Sequence, residues 1–187
     1  KGVVRMKKVI SLVLAAVMVL SLALMVGCSS APKTKTGLGH VISIKGTDAT
    51  ADKEGTSQVD TVMAAVTVDD KGKILSVTID TAQQKATFDA AGKYTTDVNA
   101  EQKTKVELGK DYGMVKNSKI GREWYEQIAE LEKWMVGKTI DQVKAMKTKQ
   151  VDDSHPNVPD VPELTSKVTV SVQDYIAAVE QAVNNAK

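Results

Sequence analysis

Two short runs alternate strictly between apolar and polar or small positions. Val62, Ala64, Val66 and Val68 alternate with Thr61, Met63, Ala65 and Thr67, and Leu75, Val77 and Ile79 alternate with Ser76, Thr78 and Asp80. A period of two puts each apolar set on one face of a half-buried strand. Asp69-Asp70-Lys71-Gly72-Lys73 lies between them, and Gly72 can take a positive φ, so the runs predict a β-hairpin. Val41 to Ile44 is a shorter candidate strand, and Ala86 to Asp89 is another, stopped by the turn at Gly92-Lys93.

Past residue 100 the period changes to about 3.6. Ile120, Trp124, Ile128, Leu131 and Met135 share one helical face, with Arg122, Glu123, Glu126, Glu130 and Lys133 supplying a wet one. Gly137 is placed to end that helix. Thr139 and Gln142 form a capping-box pattern for a short helix through Met146. Lys147 to Leu164 carries three prolines and paired acids and reads as a long surface loop. Val168-Thr169-Val170 reads as a short extended piece, followed by a helix from Val172 to about Asn184 with Ile176, Val179 and Val183 facing the core. Strands first and helices later predict an α+β domain, helices packed on an antiparallel sheet.

The N-terminal pattern differs in kind. Met6-Lys7-Lys8 is followed by apolar residues from Val9 to Val26, broken only by Ser11 and Ser21, and then by Gly27-Cys28. A basic start, an apolar stretch and a small residue at its end make a secretory signal. The run is also close to the roughly 18 residues at which a bilayer span becomes an alternative. Met6 is the better start, with residues 1–5 an upstream extension. Cys28 is the only cysteine in the chain. The stretch Leu24-Met25-Val26-Gly27-Cys28 resembles the lipobox of bacterial lipoproteins, in which the cysteine is lipidated and becomes the mature N-terminus. This resemblance implies a signal peptide over 1–27, a flexible linker over 28–38 and a folded domain over 39–187, held at the extracytoplasmic face of the cell membrane by lipid on Cys28. The small polar run from Ser29 to Gly37 suits a spacer.

Cleavage there changes the charge balance. The first 27 residues hold four of the 25 basic side chains and none of the 23 acidic ones, leaving 21 against 23. The mature part is mildly acidic, and no basic patch for nucleic acid is expected. The remaining 160 residues suit one domain with one core. A lipidated Cys28 leaves no thiol for a disulfide, for nucleophilic catalysis or for a cluster.

Candidate chemistry is sparse. The histidines, His40 and His155, lie far apart, and Asp152-Asp153-Ser154-His155 lacks the ligand spacing of a structural zinc site. No nucleophile elbow, P-loop or dinucleotide fingerprint occurs. The segment that stands out is Leu164-Thr165-Ser166-Lys167-Val168-Thr169-Val170-Ser171, rich in hydroxyls and placed before the last helix. A helix N-terminus offers unpaired N–H groups and a positive dipole end to a phosphate. Simpler roles compete: Ser171 with Asp174 is a capping pattern, and Thr169 between valines suits a strand end.

Glu107-Leu108-Gly109-Lys110-Asp111-Tyr112-Gly113-Met114, Ile120 to Gln127, Val136-Gly137-Lys138-Thr139 and the segment ending in Thr169-Val170-Ser171 together resemble the FMN-binding domains of bacterial respiratory electron-transfer complexes. They are most similar to those of Gram-positive lipoproteins of the peptide-pheromone type linked to extracellular electron transfer. The resemblance implies an FMN-binding-domain-like fold and an electron carrier without catalytic residues of its own. It implies a membrane dehydrogenase or quinol as donor and a separate flavin transferase that attaches FMN through its phosphate to a hydroxyl. On that pattern Ser166, Thr169 and Ser171 take the hydroxyl places, with Thr169 or Ser171 as acceptor. Lys167 and Val168 stand where the family has Gly and Ala, crowding the approach of a phosphate. Lys167 could instead pair with it as a point charge. Tyr112, Met114 and Trp124 are the candidate ring contacts. The alternative is a surface lipoprotein with a degenerate flavin site that binds an anionic ligand or a partner protein without redox chemistry.

Overall fold

A computed structural model describes residues 33–187. The signal segment and Cys28 lie outside the described residues. Three long strands form an antiparallel sheet of order β1-β2-β3: β1 is Lys35–Thr47, β2 is Gly55–Val68 and β3 is Ile74–Phe88. Among the described residues four α-helices follow: α1, Lys105–Leu108; α2, Trp124–Met135; α3, Ile140–Lys144; and α4, Gln173–Asn184. The fold is α+β, with helices on one face of an antiparallel sheet.

The expected hairpin is β2–β3. Asp69 Oδ1 accepts from the N–H groups of Lys71 and Lys73, and Gly72 has φ of 76°. One detail differs. The register slips at Thr67/Val68, pairing Val68 with Ile74, so Ile74 enters the core and Leu75 is left exposed. This β-bulge reverses the side on which the second run begins. The stretch at Ala86 is the continuation of β3 rather than a separate strand.

β1 is longer than its sequence suggests. It begins at Lys35, so Lys35 to Leu38, expected in the linker, are paired with β2. Its inward positions are Gly37, Gly39 and Val41, opposite Val66, Ala64 and Val62. A Cβ on Gly37 or Gly39 would lie about 2 Å from the carbonyl oxygen of Ala182 or Ala178 in α4. Glycine on the strand and alanine on the helix let the two backbones approach closely. The cost is a strand with little inward hydrophobic signal.

The helix expected from Ile120 starts at Trp124, after Glu123, whose N–H donates to Glu126 Oε2. Trp124, Ile128, Leu131 and Met135 are buried, and Gly137, with φ of 84°, follows the helix end. The capping box at Thr139 and Gln142 forms as read. Residues 147–164, expected to be a long surface loop, fold back on themselves through a two-residue antiparallel pair, β4 (Thr148–Lys149) with β5 (Val158–Pro159). Val168 to Val170 is not a strand. Val168 and Val170 are buried anchors, and Val172 precedes α4 without a side-chain cap. In α4, Tyr175, Ala178, Val179 and Ala182 take the core face, with Ile176 and Val183 at its margin.

Candidate functional site

The first turn of α2 carries two buried polar side chains that position the loops around it. Glu123, 5% exposed, accepts from the N–H groups of Met114 (2.8 Å) and Val115 (3.2 Å). Gln127 is fully buried. Its Oε1 accepts from Thr169 N–H at 2.8 Å and from the Thr169 hydroxyl at 3.2 Å, while its Nε2 donates to the Arg122 carbonyl at 3.3 Å. A buried amide whose ends are satisfied by two different segments fixes the distance between them. Met114, through Glu123, and Thr169, through Gln127, are therefore both tied to the start of α2.

Between them opens a cleft of about 180 Å³. Met114, Val151, Val158 and Pro159 give it an apolar lining; Lys119 and Lys149 bring cationic groups to it. Its third wall is the β4–β5 turn. There Asp152 Oδ1 accepts from Ser154 N–H and lies 2.7 Å from His155 Nδ1, which holds the Asp152 carboxyl below its usual range. Lys149 is paired with Asp160 at 2.8 Å. An anionic group entering the cleft would meet Lys119, the Asp160-paired Lys149, the Thr169 hydroxyl and the Asp152–His155 pair, whose carboxylate would oppose it.

The other residues singled out in the sequence lie elsewhere. Ser166 is exposed on the turn before Thr169 and does not line the cleft. Lys167 is engaged: its Nζ is 2.8 Å from Glu130 Oε2, and this hydrogen bond holds the Glu130 carboxyl below the usual range. Ser171 is not a helix cap. Its Oγ accepts from Asn157 N–H at 3.3 Å, latching the segment to the loop before β5. The start of α4 borders a separate hollow of about 280 Å³ with Lys144, Thr148 and Asn157. The two candidate acceptors are thus divided, Thr169 toward the cleft and Ser171 away from it.

Trp124 is 1% exposed and belongs to the core. Its Nε1 donates to the Tyr175 hydroxyl at 2.9 Å, the rings meet edge to face, and burial pushes the Tyr175 hydroxyl up to about 12. Tyr112 is half-buried over β3, where its hydroxyl reaches Gln83, and Lys105 Nζ lies 4.9 Å from its ring and 5.3 Å from that of Trp124. Of the residues expected around a cofactor ring, Met114 alone lines the cleft.

Glu123, expected on the wet face of the helix, is buried where it accepts from Met114 and Val115, and Gln127 was given no role in the sequence, although one signal was present. Gln127 interrupts the apolar stripe of α2, and a polar residue at a core position needs buried partners. Among the described residues no group of three or more His, Cys, Asp or Glu could hold a metal ion, and no helix is long and apolar enough to cross a membrane. Comparison with protein-family models, curated proteins and solved structures found no match to this chain.

Proposed function

We propose that the protein is an exported lipoprotein, anchored through Cys28 at the extracytoplasmic face of the cell membrane, whose FMN-binding-domain-like fold carries FMN for electron transfer. The observation that carries this reading is the meeting of Thr169 and Met114, two residues from the family-like segments, at one cleft with Lys119 and Lys149 beside it. The chemistry suits the group. Cations and a hydroxyl serve the phosphate, and Val151, Val158, Pro159 and Met114 give an apolar surface for a ring. At about 180 Å³ the cleft is smaller than the roughly 300 Å³ at which pockets for whole small molecules begin. A cleft of that size would hold the phosphate end, through Lys119, Lys149 and Thr169, and would leave part of the ring outside it.

Bound FMN would supply the redox chemistry, taking electrons from a membrane dehydrogenase or quinol; the chain provides position and environment. Thr169 is the better-placed acceptor. On attachment its oxygen would bond to the FMN phosphorus as the pyrophosphate bond of FAD breaks and AMP leaves. The hydroxyl proton would pass to a base of the flavin transferase, because the neighbouring Gln127 amide orients the hydroxyl and cannot take the proton. Replacing Thr169 or Ser171 singly with alanine, in cells containing the transferase, locates the bond. Loss of covalent flavin from the Thr169→Ala chain with retention in Ser171→Ala is expected; the reverse refutes the assignment to Thr169.

A second reading is favoured by Lys167 and Val168. With these in place of Gly and Ala, and Lys167 held by Glu130, the segment is less open to a phosphodiester linkage. The same cleft would then serve a non-redox lipoprotein that binds an anionic ligand or a partner. Titration with FMN and with inorganic phosphate separates the two, since only the first reading requires a flavin spectrum on the folded protein.

A further inference from the structure

Among the described residues the helices cover one face of the sheet, and the β1 side of the other face carries apolar side chains that they leave exposed. Leu38 and Ile44 are each 74% exposed and Ile42 is 57% exposed, all from β1, with Met63 of β2 beside them. The register sets them in neighbouring rungs: Leu38–Ala65–Thr78, His40–Met63–Asp80, Ile42–Thr61–Ala82 and Ile44–Val59–Gln84. In these rungs the ionisable side chains are His40 and Asp80, and Asp80 Oδ1 is occupied by the N–H groups of Thr81 and Val106. An exposed, charge-poor apolar patch of this kind marks an interaction surface.

The length of chain before β1 indicates what covers it. Six residues, Ser29 to Thr34, separate Cys28 from Lys35, the first residue of β1. Fully extended, that connection reaches at most about 25 Å, whereas β1 itself runs for about 40 Å. A lipid on Cys28 would hold the first residue of β1 within that reach of the bilayer, with Leu38 only three residues further along the strand. Lys33 and Lys35 lie between the lipid and Leu38 in sequence, and cations suit an anionic headgroup layer. No residue of β1, β2 or β3 lines the cleft between Met114 and Thr169. Docking through the outer face would therefore leave the cleft uncovered.

We infer that the outer face of the sheet, through Leu38, Ile42, Ile44 and Met63, rests on the lipid headgroup surface. This inference depends on the lipid anchor at Cys28, and adds a second, weaker attachment to it. The full chain, purified from a lipoprotein-processing bacterium, is tested in phosphatidylcholine–phosphatidylglycerol vesicles, with intact mass reporting the lipid on Cys28. A fluorophore is placed by Ile44→Cys on the outer face or by Ala177→Cys on the exposed side of α4, and a nitroxide-bearing lipid serves as quencher. Loss of most of the fluorescence from the Ile44→Cys label, little change at Ala177→Cys, and recovery when Ile42→Glu is added are expected.

Equal, weak quenching at both positions on a chain whose mass shows the lipid would overturn docking while leaving the anchor intact. A mass without lipid would remove the anchor and the inference with it. Self-quenching of the Ile44→Cys label that rises with protein density and ignores the nitroxide lipid would assign the face to a second copy of the chain, also overturning the proposal.

Discussion

Gln127 makes the candidate site possible. It is fully buried and gives both hydrogen bonds that Thr169 makes to α2. Gln127→Leu keeps the volume and removes the acceptor, leaving the Thr169 N–H unpaired in a half-buried place. A loss of about 1–3 kcal/mol is expected in urea unfolding, together with faster amide exchange at Thr169; unchanged exchange there would show that Gln127 does not hold the segment. Glu132 offers a test of electrostatics. Burial raises its carboxyl above the ordinary 4.5, although Oε1 accepts from Ile79 N–H. A raised acid binds its proton more tightly in the folded state, so its effect on stability is most favourable below 4.5 and is lost as pH climbs through the raised value. Glu132→Gln keeps the acceptor without the charge, and its thermal midpoint should fall less than that of the parent between pH 4.5 and neutrality. A midpoint that declines equally in both would exclude Glu132 as the cause. The apolar stripe of α2 made Trp124, Ile128 and Leu131 readable as core from spacing alone. The pairing of Lys167 with Glu130, 37 residues away, had no local signal.

Elements were most readable where one face is apolar and the turn chemistry agrees. The β2–β3 hairpin and the cap at Thr139 meet both conditions. β1 meets neither, since its inward face is built from Gly37 and Gly39 while its larger apolar side chains point outward, inverting the usual amphipathic pattern. The glycines have a measurable role. In Gly39→Ala the new Cβ would meet the Ala178 carbonyl oxygen and the Ala182 nitrogen of α4, both backbone atoms that cannot rotate away. A loss of about 1–3 kcal/mol or more is expected on denaturation; a neutral result would mean that α4 does not pack on β1 at this distance. The hairpin of β4 and β5 was hidden for another reason. Its paired segments are two residues each, too short for any period, and the turn rests on the Asp152–His155 contact rather than on hydrophobic patterning.

At the scale of the whole molecule, an apolar stretch of sequence ending at Gly27-Cys28 precedes an α+β domain, and the cleft lies among the helices and loops of that domain. Residues 28–187 are nearly charge-balanced, and the cleft is lined by cationic and apolar residues together with the Asp152–His155 pair. Sequence patterning alone pointed to the α+β class and to the segment around Thr169. The family resemblance placed Trp124 beside a cofactor, whereas its indole lies in the core against Tyr175, as the helical spacing indicated. The most direct test of the central claim is the intact mass and visible absorption of the full chain produced with and without a flavin transferase. Covalent FMN and a flavin spectrum in the first preparation alone, lost on Thr169→Ala, are predicted. A folded protein with no flavin in either preparation, even after addition of FMN, would contradict the electron-carrier account.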